Sequence, residues 1–434
     1  MAETTTRDLV DELTEWVEGN WSEALTVGEW WDRLGTAGWA APMLPVGAYG
    51  RGLSQAEALV VRHTLAATGT IGAPVGLGLL LAAPTIAAHG TDEQVERYVP
   101  DIVTGRASWC QLFSEPGAGS DLAGLSTRAA RDGDEWVVQG QKVWTSGGQY
   151  ADLGMLLART NPDVPKHKGI TWFALPMHQD GVDVRPLREM TGATRFSEVF
   201  FTDARVADDA RIGAANDGWR VANTTLAVER AGMGAGGNQQ LRGGPVAVPG
   251  TVAGHLDRPV RDFLAAPETR SPSTEGRTTP ARFHVDLAKA KGRSQDPRVR
   301  QRLAQLHVLG ELCRLNAERL RAVRAGGGDV PGMANLSKLV MADSLRLGRD
   351  LGLELLGARG TLHAYDDEGR AGLAAAAPGR GAEEATSLAL FAQALPIFGG
   401  TDQIQRNILA ERVLGLPKEP GDLSGVPFSQ LPRS

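Results

Sequence analysis

Between about residues 108 and 212 the chain carries a series of short runs rich in Val, Trp, Phe and Thr, separated by turn signals: 136–138, 141–145, 154–158, 170–175, 182–186 and 199–201. A spacing of about 8 to 12 residues leaves no room for a crossover helix between strands, so this stretch predicts an antiparallel sandwich or barrel and not βαβ units. The flanks differ. Leu9, Val10, Leu13, Trp16 and Val17 lie on one apolar helical face behind Thr6 as N-cap, and Thr91-Asp-Glu-Gln opens another helix. After Asp217, helices are expected over 219–233, from Pro297 (capped by Asp296) to the glycines at 326–328, over 333–356, and over 401–414 before Gly415 and Pro417. Residues 243–291 and 366–384, dense in Gly with Pro or Ala, read as irregular. The plan is α+β and mainly helical, with a helical domain over 1–107, a β domain over 108–212 and a second helical domain over 213–434. At roughly 150 residues per domain, three domains fit the chain's 434 residues.

Composition narrows the function. With 45 basic and 51 acidic side chains and a net charge of −6, there is no basic excess to neutralise phosphates, so nucleic acid is an unexpected partner. The cysteines, Cys110 and Cys313, are too few and too far apart for a disulfide framework or a cysteine zinc site, and the eight histidines form no close ligand pair. No metal is expected. The opening MAETTTRDLVDEL lacks the basic and apolar regions of a signal peptide, and a cytoplasmic setting fits. Residues 64–88 carry no charge and approach membrane-spanning length. Pro74, Pro84 and four glycines interrupt them, which favours buried helices joined by a turn.

Three stretches offer chemistry. Glu115-Pro-Gly-Ala-Gly-Ser-Asp121 holds a G-x-G pair and a hydroxyl, whose backbone N–H groups are able to approach a phosphate. The strand-like sequence after it excludes a dinucleotide fold that needs a helix there. Gln111-Leu-Phe-Ser114 and Lys142-Val-Trp-Thr-Ser-Gly-Gly148 add an aromatic plane and hydroxyls suited to a flat, heteroatom-rimmed ring; the plainer alternative makes Trp144 a core residue.

The segments 109–124 (WCQLFSEPGAGSDLAG), 139–148 (QGQKVWTSGG), 198–206 (EVFFTDARV) and 399–417 (GGTDQIQRNILAERVLGLP) together resemble the acyl-CoA dehydrogenases, in family order over about residues 90–417. The resemblance implies an FAD enzyme that binds an acyl thioester, on coenzyme A or a carrier protein, between flavin and helices. Residue by residue, it implies that Gln111, Phe113 and Ser114 line the pyrimidine side of the flavin and that Trp144 and Ser146 meet the ring near N5. Gly119 and Ser120 approach the pyrophosphate or the pantetheine. Thr401, whose plainer role is an N-cap, and Gln403 reach FAD of a neighbouring subunit, while Glu354 and Gly357 lie near the adenine. Substrate contacts fall to Ser120, Arg230, Gly399 and Gly400, the Gly399 N–H polarising the thioester carbonyl together with an FAD ribitol hydroxyl.

α,β-Dehydrogenation needs a carboxylate to remove the Cα proton while hydride leaves Cβ. Where many relatives place a glutamate before the Gly-Thr of the last motif, this chain has Gly399. A second family arrangement puts it on the helix after the barrel, just before an arginine, and Ala227-Val-Glu-Arg230 matches it. Glu229 is the candidate base; otherwise it is a solvated surface glutamate. An Arg-x-x-Phe-Gly element that reaches FAD across a subunit interface in the family is missing from 241–291. The resemblance implies an electron-transfer flavoprotein as oxidant and a homodimer, homotetramer or heterotetramer. Two other readings stand beside it: an FAD oxidase or monooxygenase on the same fold, and a subunit that completes a partner's site.

Overall fold

A computed structural model describes residues 6–234, 255–264, 281–325, 328, 330–376, 381–418, 423 and 425–432. The N-terminal helices are α1 (Thr6–Asn20), α2 (Val27–Thr36), α3 (Gln55–Ala67), α4 (Ala83–His89) and α5 (Asp92–Val103). Local chemistry sets their starts. Thr26, Ser54 and Thr91 each cap a helix reciprocally with Glu29, Glu57 and Gln94, an arrangement in which each cap contributes about 1 kcal/mol. Thr6, expected as a cap, is itself the first residue of α1. The uncharged stretch resolves into the end of α3, a turn, a π-helical turn (Gly78–Ala82) and α4. No helix among the described residues is long and apolar enough to cross a membrane.

Among the described residues there are eight strands: β1 (Trp109–Leu112), β2 (Arg128–Asp132), β3 (Glu135–Ser146), β4 (Leu153–Arg159), β5 (Ile170–Pro176), β6 (Val182–Leu187), β7 (Phe196–Ala207) and β8 (Arg211–Ile212). They form one sheet in the order β6-β7-β3-β2-β4-β5-β8, with β1 paired to β4. Most pairs are antiparallel, as the spacing predicts, but β1 and β2 each run parallel to β4. The runs expected at 136–138 and 141–145 are one strand. Gly140 joins them at φ +148, where the register against β7 shifts and where an added Cβ would lie 2.5 Å from Thr127 Oγ1.

Helices return as α6 (Gly218–Gly234), α7 (Arg261–Leu264), α8 (Ala281–Ala290), α9 (Pro297–Ala325), α10 (Met333–Leu356), α11 (Asp367–Ala376), α12 (Ala382–Phe391) and α13 (Asp402–Ile408). The Asp296 cap holds: its Oδ1 accepts from Arg298 N at 2.9 Å. Two expectations fail, because α8 and α11, with the short α7 and the start of α12, lie inside stretches read as irregular; the glycines and prolines in those stretches lower the local helix signal, while Leu287 and Ala288 of α8 pack into a core with α9 and α10. The expected helix over 401–414 is α13 followed by a π-helical turn at Leu409–Val413.

One continuous core runs from the N-terminal helices through both faces of the sheet to Val221 and Ala222 of α6, whereas α8, α9, α10 and α12 enclose cores of their own. Trp30 and Trp31 are fully buried, and their Nε1 groups donate to Ile71 O (2.8 Å) and Gly72 O (2.7 Å). These two indoles fix the turn that leads to the π-helical segment. Far along the chain, Val426–Leu431 packs back on the sheet: Phe428 N donates to Val164 O (2.9 Å), Ser429 N to Pro162 O (2.8 Å), and the Arg159 guanidinium lies 3.9 Å over the Phe428 ring.

Candidate active site

The site is built around a buried ion pair. Lys142 of β3 is wholly buried, with Nζ 2.8 Å from Glu115 Oε1 and 3.0 Å from Phe113 O. Glu115 Oε2 accepts from Ser126 N (2.7 Å) and Ser126 Oγ (2.8 Å), and Oε1 from Thr127 N (2.9 Å). Burial alone would push both groups toward neutrality, and it holds the Lys142 ammonium below its ordinary value. At Glu115 burial also pushes upward, but the Lys142 charge and the N–H and O–H donors outweigh it and bring the carboxyl to about 2. With every partner in place, the pair ties residues 113–115 to β3, and Val143 N donates to Ser114 O at 2.9 Å to complete the tie.

Immediately beyond it, the β3–β7 register slips between Lys142 and Thr145. Trp144 occupies the left-handed region at φ +60, a costly backbone for a bulky residue, and its side chain is 61% exposed. It is not a core residue. The irregularity turns the indole outward against the edge of Phe196 (5.9 Å), returns Thr145 to the interior and leaves Ser146 exposed.

Next to Ser146 opens a cleft of about 200 Å³, lined by Val75 and Leu77 just before the π-helical turn, by Leu79 within it, and by Trp109, Ser146 and Tyr150 of the β part. Trp109 is 5% exposed and begins β1. Gln111 is two residues further on the same face of the strand. Its Nε2 donates to Glu229 Oε2 at 3.3 Å. Glu229 lies one turn beyond Thr225, whose buried Oγ1 meets Thr85 Oγ1 at 2.9 Å, so α6 turns this face toward the π-helical turn and α4. Glu229 is half-buried. Arg230 follows it in α6, and its side chain lies outside the described residues.

The other expected residues fall into two groups. Gly399 (φ +63) and Gly400 (φ +81) make a turn open to glycine, held by Gln405 Nε2 donating to both carbonyls (2.9 and 3.2 Å). Beneath it, buried Asp402 meets Lys338 at 2.9 Å and also Arg346. Thr401 does cap α13, its Oγ1 accepting from Ile404 N at 3.2 Å, and Gln403 is exposed on the first turn. Glu354 near the end of α10 meets Arg302 (2.9 Å) and Arg293 (3.3 Å), with Gly357 as the C-cap. Gln111, Phe113, Ser114, Trp144, Ser146 and Glu229 therefore share one neighbourhood, while the Gly399–Gln403 turn and the Glu354–Gly357 helix end stand on the C-terminal helices. Gly119 and Ser120 are exposed in the loop before Asp121. An added Cβ at Gly117 or Gly119 would meet nothing within 4 Å, so no contact within the chain demands glycine there.

Sequence models of three acyl-CoA dehydrogenase domains match the chain: the N-terminal domain over residues 1–106, the middle domain over 110–204 and the C-terminal domain over 281–414. The acyl-CoA dehydrogenase IpdE1 of Mycobacterium tuberculosis is 35% identical over 390 residues, 90% of this chain and 88% of that protein. The chain belongs to the acyl-CoA dehydrogenase family. Its members are FAD-dependent flavoprotein oxidoreductases. The acyl-CoA dehydrogenase FadE34 of the same organism is 38% identical over 385 residues, 89% of this chain, and this chain spans only 46% of its length. Among solved structures, the Tcur3481-Tcur3483 steroid ACAD superposes with a TM-score of 0.66 at 26% identity, covering 95% of this chain and 98% of the other.

The residues present fit a flavin. An exposed indole on a strained backbone, an exposed serine two residues on and glycines without an internal reason are what a flat ring and its phosphates would occupy. Motif reading missed the burial of Lys142 against Glu115 and the contact between Gln111 and Glu229, neither of which leaves a signal in the sequence. The 241–291 stretch without the family's arginine element lies mostly outside the described residues.

Proposed function

We propose that this chain is an FAD-dependent acyl-CoA dehydrogenase that converts an acyl thioester to the trans-2-enoyl thioester, with Glu229 as base. The observation that supports it best is the continuity along β1: Trp109 lines the cleft beside Ser146, and Gln111 on the same strand face meets Glu229. FAD, when bound, would supply the hydride acceptor, and an electron-transfer flavoprotein would be the oxidant that regenerates it.

The chain's own groups do the rest. Gln111, Phe113, Ser114, Trp144 and Ser146 hold the ring; Gly119 and Ser120 receive the pyrophosphate or pantetheine; Thr401 and Gln403 serve a neighbouring subunit's FAD, and Glu354 with Gly357 the adenine. Val75, Leu77, Leu79 and Trp109 exclude water from the acyl chain, and Glu229 takes the Cα proton onto a carboxylate oxygen. The Gly399 N–H is the donor assigned to the thioester carbonyl, with Gly400 and Arg230 beside the thioester. Similarity to a steroid ACAD supports a bulky, ring-bearing acyl group.

The test is the visible spectrum of the purified chain before and after anaerobic addition of straight, branched and ring-bearing acyl-CoA thioesters. Bands near about 370 and 450 nm that one thioester bleaches are expected. Glu229→Gln should keep the bands and lose the bleaching by at least about a thousandfold in rate; unchanged bleaching removes Glu229 from the reaction. A second reading, a subunit that completes a partner's site, is favoured by the likeness to a structure named for two proteins and by the longer FadE34. A colourless chain that turns yellow only with a related partner would decide for it.

A further inference from the structure

We infer that Gln111 is a positioning residue for Glu229, one that holds the base carboxylate at the mouth of the cleft rather than serving only as a wall of the flavin site. The inference rests on the reading of Glu229 as base. Gln111 stands between Cys110 and Leu112, both fully buried in the sheet, and β1 is paired with β4 in register from Trp109 to Leu112. Its backbone is therefore fixed by the ladder with β4 and by two buried neighbours, and the amide reaches α6 from an ordered strand. The Nε2–Oε2 separation is 3.3 Å across 118 residues of sequence, so the contact joins sheet to helix and is no local turn. A carboxylate offers only acceptors and an amide NH2 only donors, so the bond fixes which end of the amide faces Glu229 and which carboxylate oxygen is held.

On α6 the chain pins its helix one turn earlier through the Thr225–Thr85 pair. Glu229 has three side-chain torsions beyond that point, and they must be restricted before the carboxylate is oriented. An amide on the neighbouring strand provides that restriction without adding a charge that would compete for the proton. In the reaction the Cα–H bond breaks, the proton moves to the Glu229 carboxylate, and the electron pair becomes the double bond as hydride leaves Cβ; where no hydride can leave, it stays on the thioester as an enolate. A misaimed carboxylate loses rate steeply with displacement.

The experiment uses the FAD-loaded protein, with its partner chain if FAD loading requires one, and a set of 3-thia-acyl-CoA thioesters with straight and ring-bearing chains. Sulfur at position 3 leaves no hydride to depart, so these compounds report the proton step alone, through the long-wavelength band of an enolate stacked on oxidised flavin. Gln111→Met keeps the volume and removes the donor; Gln111→Glu keeps the shape and sets a second carboxylate beside the first. The expected result is a band formed about tenfold more slowly with Gln111→Met and at least a hundredfold more slowly with Gln111→Glu. FAD affinity is read from flavin fluorescence beside each rate, and the rates are compared at saturating FAD. In the Glu229→Gln background, Gln111→Met should cause no further loss. A tenfold weaker FAD affinity with an unchanged rate of band formation would overturn the inference and assign Gln111 to the flavin alone, as would an equal loss in both backgrounds. If no thioester gives a band with the unaltered protein, or if Glu229→Gln keeps the band, the dehydrogenase reading falls first and this inference with it.

Discussion

Lys142 carries more of the site's framework than any residue assigned to the flavin, although it is itself wholly buried. Removing the ammonium strands Glu115 in the interior, and breaking a buried pair on one side typically costs about 3–5 kcal/mol. Lys142→Met should therefore lower the denaturant midpoint by that equivalent, and Glu115→Gln added to it should restore a large part; urea titration followed by tryptophan fluorescence checks both. The pH dependence has a definite sign. Glu115 sits at about 2 in the folded chain against an ordinary 4.5, so the stability it contributes is present above about pH 4.5 and is lost as the pH falls through the window down to 2. Glu115→Gln should be less stable than the parent at neutral pH and lose less between pH 4.5 and 2 in acid titrations of the unfolding midpoint. None of this was legible in the sequence, because a lysine in a strand announces neither its depth nor its partner 27 residues away.

Within β3, the irregular register places a tryptophan where glycine would be easier. Truncating a large aromatic usually costs about 3–5 kcal/mol when the ring is buried. Here the ring is 61% exposed and the backbone is at φ +60, so Trp144→Gly should leave the melting temperature of the FAD-free chain within about 2 °C of the parent. The same substitution should weaken FAD binding at least about tenfold by flavin fluorescence. Elements with local signatures were readable: the Thr91 cap, the Asp296-Pro297 start and the bounds of α10 follow from residues within one turn of each other. Elements made by tertiary contact were not. The helices α8 and α11 sit in stretches broken by glycine and proline, the parallel pairing of β1 with β4 joins segments about 40 residues apart, and Gly140 looked like a break although it bends one strand. The site divided in the same way. Its motif residues could be named through their resemblance to the family's motifs, whereas the bond between Gln111 and Glu229 exists only because β1 and α6 meet.

At the scale of the molecule, the described segment nearest the end of the sequence returns to the sheet. Arg159 is buried deeply enough that its guanidinium is brought down to about 10, its Nη2 donates to Ala123 O at 2.6 Å, and Phe428 closes its outer face. Phe428→Ala should destabilise the full chain by about 1–2 kcal/mol and Phe428→Leu by less, since leucine keeps apolar cover without the ring's charge distribution; differential unfolding of the three proteins checks it. The clasp also has a timetable. Ser429 meets Asp163 across 266 residues of sequence, and a ribosome adds about 5–20 residues per second. The sheet thus waits roughly 13–53 s during synthesis with this buried cation uncovered, an interval in which a nascent chain depends on other molecules to shield it.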